Sequence, residues 1–217
     1  MFSVVIPLYN KEAFIKQTLQ SVLAQSYPNF EVIIVDDGCT DKSVAIVADM
    51  NAPQVSIITQ ENGGPGSARN LGIRKAKYPY IAFFDADDTW SEDFLKEIAI
   101  AIQKVPNQGI YSAKTTLKWK NRPFTEVHAK GEYLHINPYI KYIHEFYCNS
   151  SSVVIPKSVF EDVGYFLESY NVGEDNEMWV RIGLKHEVLF VNKPLVCYND
   201  VNTYHATREN QKLAPYP

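Results

Sequence analysis

Carboxylates gather directly behind two apolar runs of this chain: Asp36-Asp37-Gly38 follows Phe30 to Val35, and Asp85-Ala86-Asp87-Asp88 follows Tyr80 to Phe84. If they share one site, a cation or a set of hydrogen-bond donors has to hold them ionised against mutual repulsion. Asp85 and Asp87, two apart at a strand end, offer hard oxygen ligands that suit Mg or Mn with positions left for diphosphate oxygens. Each piece also has a plainer reading. Asp37-Gly38 is a good turn dipeptide, and one of Asp85, Asp87 and Asp88 would serve to cap a following helix. Glu61-Asn62-Gly63-Gly64-Pro65-Gly66-Ser67 is a glycine-rich turn before a helical run, an arrangement that presents backbone N–H groups to an anion. Arg69 brings a guanidinium to the same edge, or else pairs with Asp36 as a structural arginine.

The elements that must position these groups follow from periodicity. Ser3-Val4-Val5-Ile6-Pro7 reads as a strand, and Ile15, Leu19, Val22 and Leu23 share one face of a helix behind it. Strands are expected over Phe30 to Val35, Val55 to Thr59 and Tyr80 to Phe84, with helices at roughly 41 to 50 and 67 to 76. Strands that are apolar on both sides and alternate with helices make a mostly parallel, doubly wound α/β sheet with helices on both faces. In such sheets ligands collect beyond the carboxyl ends of the strands, where Pro7-Leu8-Tyr9-Asn10 and both acidic runs fall. Phe94, Leu95, Ile98, Ala101, Ile102 and Val105 form another helical face, with Thr89-Trp90-Ser91-Glu92 as a capping box at its start. From about residue 109 the alternation weakens, and strands such as Gly109 to Lys118 and Ser152 to Ile155 mix with aromatic and basic residues. Without a repeat, a low-complexity segment or a linker, residues 1–217 read as one domain ending in a frayed tail over 213–217.

Composition narrows the function classes. With 46% hydrophobic and 21% charged residues the chain is an ordinary globular protein, not a disordered, collagenous or coiled-coil one. Lys plus Arg total 21 against 25 Asp plus Glu, a net charge of -4, which argues against nucleic acid as a partner. The longest apolar stretches, such as Val44 to Ala48, are far below the ~18 residues of a membrane span. The N-terminus enters a strand without a basic leader, so a cytoplasmic location is expected. Cys39, Cys148 and Cys197 are scattered and odd in number, which suits free thiols. Gly64-Pro65-Gly66 followed by Arg69 lacks the third glycine of GxGxxG, and no GxxxxGK[ST] occurs, so neither a dinucleotide dehydrogenase nor a P-loop NTPase is supported.

In order and spacing, Val4-Val5-Ile6-Pro7-Leu8-Tyr9-Asn10, Val35-Asp36-Asp37-Gly38-Cys39-Thr40-Asp41, Gly66-Ser67-Ala68-Arg69-Asn70-Leu71-Gly72 and Phe84-Asp85-Ala86-Asp87-Asp88 resemble the large family 2 of inverting glycosyltransferases with the GT-A fold. The resemblance covers roughly residues 1 to 105 and implies a donor-binding half there, with an acceptor-binding half over 106–217. It implies that Pro7, Tyr9 and Asp37 surround the nucleobase and that Arg69 lies near the donor nucleotide. It also makes Asp85 and Asp87 a DxD pair, with Asp87 holding Mn2+ or Mg2+ and Asp85 the ribose or the metal's waters. Val172-Gly173-Glu174-Asp175-Asn176-Glu177-Met178-Trp179-Val180-Arg181 is similar to the acidic pair opening the helix that supplies the family's base. Asp175 is then the expected base, with Glu174 and Glu177 as competitors; the plainer reading is an acidic first turn that complements the helix dipole. His205 resembles a C-terminal metal ligand of some GT-A enzymes, but its offset from Tyr198 departs from the usual spacing and a surface histidine is the alternative.

The resemblance therefore implies transfer of a sugar from a nucleotide diphosphate sugar, UDP-linked by expectation, to a hydroxyl of a glycan or glycolipid. The QxxRW pattern and membrane helices of processive members are absent, which implies single addition. The rivals are a non-catalytic nucleotide-sugar-binding scaffold subunit and a sugar-phosphate nucleotidyltransferase, though Pro7-Leu8-Tyr9-Asn10 is not the glycine-rich loop of the latter. Between Tyr111 and Tyr147 stand eight aromatic residues together with Lys114, Lys118, Lys120 and Arg122. They would stack on acceptor sugars or meet a lipid diphosphate as a peripheral contact at the inner membrane face; core or a homodimer face is the plainer reading.

Overall fold

The computed structural model describes residues 1–117, 131–136, 148–170 and 172–199. The first half is the expected alternation: β1 (Phe2–Leu8), α1 (Ile15–Leu23), β2 (Phe30–Asp36), α2 (Ser43–Asp49), β3 (Val55–Thr59), α3 (Gly64–Lys75) and β4 (Tyr80–Phe83). Then come β5 (Thr89–Trp90), α4 (Phe94–Lys104), β6 (Ile110–Leu117), β7 (Tyr133–Ile136), β8 (Val153–Pro156), α5 (Lys157–Val163), α6 (Glu174–Gly183) and β9 (Val188–Tyr198).

One sheet runs β3-β2-β1-β4-β8-β6-β9-β5, with β7 pairing β9. β1 through β4 are mutually parallel, with Val4 opposite both Val32 and Ala82. Antiparallel β8 sits between β4 and β6, while β6 and β9 run parallel. The order reverses beside β1, the topological switch point of the parallel half.

Residue alternation divides the core between the two faces. Val4, Ile6, Val32 and Ile34 pack with Ile15, Leu19 and Val22 of α1 and with Phe94, Leu95 and Ile98 of α4. Val5, Ile33 and Val35 pack with Ala68 and Ile73 of α3, Phe160 of α5 and Trp179 of α6. Gly72 lets α3 lie close on β1, because a Cβ there would come 2.2 Å from Val5 Cγ1.

The expected capping box does not form. Thr89 and Trp90 pair instead with Cys197 and Val196 of β9, and the Trp90 ring stacks on Phe84 and on Phe94. α4 begins later, at Phe94, and its cap comes from the loop behind α1: Gln25 Oε1 accepts from the Leu95 amide at 2.9 Å. All three cysteines are free thiols. Among the described residues no helix is long and apolar enough to cross a membrane. Trp119, Phe124, Tyr139, Tyr142, Phe146, Tyr147, Lys118, Lys120, Arg122, His205 and the tail over 213–217 lie outside the described residues. Tyr111 is core, its hydroxyl donating to the Val105 carbonyl at 3.0 Å.

Candidate active site

The loops behind β1, β2 and β4 meet at one sheet edge. Pro7 lies in β1 opposite Val35, and Tyr9, just beyond the strand, is exposed. Asn10 adopts a left-handed φ of 49°, and its Oδ1 accepts from the Thr40 amide at 2.8 Å, tying the first loop to the second. The backbone N–H of Lys11 donates to Ser43 Oγ at 2.8 Å, while its Nζ reaches the loop behind β4, 2.6 Å from Asp87 Oδ2.

Asp36 and Asp37 do different work. Asp36 Oδ1 accepts from the Cys39 amide at 2.8 Å in the turn that Gly38 closes with φ 78°. The pairing of Arg69 with Asp36 does not occur. Asp37, 3% exposed, turns to the glycine-rich segment: Oδ1 accepts from Gln60 Nε2 at 2.7 Å and from the Gly63 amide at 2.8 Å, and Oδ2 from the Gly64 amide at 2.9 Å. The anion at the N-terminus of α3 is thus the chain's own carboxylate, which satisfies amides a helix start leaves open. One acceptor position on Oδ2 is left over by these bonds.

Arg69, 4% exposed, bridges the halves of the chain. Its Nη2 donates to Asp85 Oδ1 at 3.0 Å and its Nη1 to Glu174 Oε1 at 2.7 Å, and the guanidinium lies over the Phe166 ring. Burial works against its charge, but Asp85, Glu174 and Asp175 outweigh that and raise its pKa. The Asp85 carboxyl is raised above the usual carboxylate range by burial, with Arg69 opposing and Asp87 and Asp175 adding to the rise. Asp88 is raised further, by burial first and by Asp85 and Asp87 after it. None of Asp85, Asp87 and Asp88 caps α4, whose N-cap position is Asp93.

The three acidic residues of α6 separate by their partners. Glu174 is buried against Arg69, and Glu177 is tied to Arg181 at 2.6 Å, which also donates to the Val163 and Tyr165 carbonyls. Asp175 has neither cation as a hydrogen-bonded partner: Oδ1 accepts from the Asn176 amide at 2.7 Å and Oδ2 from Ser150 Oγ at 3.2 Å. Gly173 enters the helix with φ 83° and lets the chain turn sharply there.

Sequence reasoning did not find Lys11, Gln60, Ser150 or Ser151. Lys11 stands directly behind Tyr9-Asn10 and was accessible to the strand-end rule. The serines precede β8, and only its antiparallel direction brings its N-terminal end to the edge where the parallel strands finish. The carboxylates at that edge offer oxygen ligands only, with Lys11 Nζ beside Asp87, and the Asp85 side chain is one-third exposed. That fits a hard divalent cation that takes one or two carboxylates and fills its remaining positions with diphosphate and water. No group of three or more His, Cys, Asp or Glu arranged for a metal occurs among the described residues.

Comparison with known proteins bears on the fold and the family. AmsB, the amylovoran biosynthesis glycosyltransferase of Erwinia amylovora, is 30% identical over 98% of this chain and 74% of its own length. An uncharacterized glycosyltransferase of Rickettsia conorii is 28% identical over 89% of this chain. This chain spans 32% of that relative and 40% of a glycosyltransferase from Haemophilus influenzae that it also matches. The crystal structure of S. aureus TarS 1–349 in complex with UDP-GlcNAc superposes with a TM-score of 0.82 at 24% identity, over 95% of this chain and 60% of that one. TarS 1–349 with UDP gives 0.77 at 25% identity, over 91% of this chain and 60% of that one. The fold is therefore GT-A. The model of glycosyl transferase family 2 matches residues 3–164, well over half of the sequence and the ends of β1, β2 and β4, and the chain belongs to that family.

Proposed function

We propose that this chain is a metal-dependent, inverting, non-processive glycosyltransferase that moves a sugar from a UDP-sugar to a hydroxyl of a glycan or lipid-linked glycan. One observation carries the reading: Asp37, Arg69, the Asp85–Asp88 run and Asp175 converge at one edge of the sheet from four separate stretches of chain. TarS, with the same fold, has been solved with UDP and with UDP-GlcNAc, which supports a UDP-linked donor.

Pro7, Tyr9 and Asp37 would surround the uracil, where the spare acceptor position of Asp37 Oδ2 matches the ring N–H. Arg69 and Asp85 lie next, toward the ribose and diphosphate. Mn2+ or Mg2+, held by Asp87 with Asp85, would supply neutralisation of charge on the departing diphosphate. Asp175 accepts the proton of the acceptor hydroxyl as that oxygen bonds to the anomeric carbon and the bond to the diphosphate oxygen breaks. Attack from the face opposite the leaving group inverts the centre. The hydroxyl becomes strongly acidic as the new bond forms, so a carboxylate is basic enough. Residues 106–217 supply the acceptor side, with action in the cytoplasm, peripheral contact at the inner membrane face and a homodimer as the accompanying expectations.

Calorimetry with UDP and Mn2+ tests the donor site. Asp87→Asn should stay folded and bind UDP at least ~10-fold more weakly, since it removes a charge-assisted ligand. Binding as tight as the parent's would overturn the metal role. Release of UDP from UDP-sugars in Mn2+ separates an enzyme from a non-catalytic scaffold.

A further inference from the structure

From one turn, two adjacent hydroxyls reach both ends of the site. Ser150 Oγ donates to Asp175 Oδ2 at 3.2 Å, whereas Ser151 Oγ accepts from the Asp85 amide at 3.1 Å and donates to Asp88 Oδ2. The turn is fixed from outside the site. Trp90 Nε1 donates to the Ser151 carbonyl at 2.7 Å, Asn149 Oδ1 accepts from the Ser151 amide at 3.0 Å, and Asn149 Nδ2 donates to Thr115 Oγ1 at 2.8 Å. Ser150, Ser151 and Ser152 are all buried, and Trp90 is itself stacked between Phe84 and Phe94.

We infer that Ser150 is a positioning residue for sugar transfer, holding the Asp175 carboxylate at a set place relative to the Asp85–Asp88 end of the site. The inference rests on the reading of Asp175 as the base. An aspartate in the first turn of a helix can rotate about two side-chain bonds, and misplacement of a reacting group by about 1 Å costs up to ~100-fold in rate. Here the Asn176 amide holds one oxygen and the Ser150 hydroxyl the other, so the carboxylate plane is defined while a lone pair is left for the acceptor proton. Because Ser151 is bonded to the strand end that Asp85 and Asp88 occupy, the distance from base to diphosphate is set through two neighbouring residues of one rigid turn. The Arg69–Glu174 pair adds a second tie between the same two places.

The test follows release of UDP from UDP-GlcNAc with water as the acceptor in Mn2+, together with UDP affinity by calorimetry, on the whole chain. Ser150→Ala removes one hydroxyl that has no other side-chain role here, and kcat should fall about 10-fold while UDP affinity holds, as expected for loss of one charge-assisted hydrogen bond at the base. Ser150→Thr, which keeps the hydroxyl, should lie closer to the parent than Ser150→Ala. In an Asp175→Asn background Ser150→Ala should cost nothing further, since a residue that acts through Asp175 has nothing left to position. An unchanged kcat in Ser150→Ala, or a further ~10-fold loss in the double variant, overturns the inference and leaves the base in place. Full turnover by Asp175→Asn removes the base itself, and this inference with it.

Discussion

Asp37 is held by the backbone it faces, and this gives it a structural duty alongside any contact with a nucleobase. Its carboxylate takes the Gly63 and Gly64 amides at the start of α3 and the Gln60 side chain. Asp37→Ala should therefore destabilise the protein by ~1–3 kcal/mol in urea unfolding, the range for buried donors left without a partner. Unchanged stability would show that water replaces the carboxylate there. Discrimination of UDP from CDP and GDP is a separate readout, and it should weaken in the same variant if the spare position on Oδ2 reads the base. The thiols carry another residue-scale expectation. Burial pushes both Cys39 and Cys148 up to about 12, so at pH 8 both stay protonated in the folded state. Iodoacetamide should label them slowly in the native protein and quickly in urea, read by mass; rapid native labelling of Cys148 would contradict its burial.

Each element is specified by a pattern that is local in sequence, while the way elements meet is not. β1, β2 and β4 fall where their apolar runs put them, because burial on both faces leaves its mark along a strand; α1 follows its 3.6-residue period, and the edge strand β3, with no fully buried residue, is marked by its β-branched run alone. α4 starts later than its pattern implies for a physical reason: Thr89-Trp90-Ser91-Glu92 has the residue types of a cap, but β9, distant in sequence, recruits Thr89 and Trp90 as a strand. The real cap is the Gln25 side chain, which also donates to the Ser91 carbonyl at 2.7 Å. Gln25→Ala should cost about 1–2 kcal/mol, as loss of a helix N-cap does, and Glu92→Ala almost nothing. Equal effects in thermal unfolding would restore the capping box. Gly72 belongs to the same scale: its Cβ-free contact sets how closely α3 lies on β1, and Gly72→Ala should destabilise by ~1–3 kcal/mol through overpacking against Val5.

At the scale of the whole molecule, Arg69 joins what sequence reading had to leave apart. The strand-end rule brought Asp37, Asp85 and Asp87 to one edge, but Glu174 lies 105 positions from Arg69 and no local pattern pairs them. Their contact ties the helix that bears Asp175 to the strand end that bears Asp85, across one sheet that runs through both halves of the chain. A buried pair of this kind is weak evidence for net stability, because desolvation of both charges opposes their attraction, yet breaking it from one side leaves a charge without compensation. Arg69→Met should thus cost about 3–5 kcal/mol in urea unfolding, since Glu174 is buried and Asp85 already lies among like charges. Adding Glu174→Gln should recover part of the loss, because a neutral amide in that place no longer needs a counter-charge. Glu174→Gln alone should cost less than Arg69→Met, as Arg69 keeps its bond to Asp85. A strictly additive double variant, or Arg69→Met within about 1 kcal/mol of the parent, would mean that water reaches these groups and that the sheet and the shared apolar core hold the two halves together without this pair.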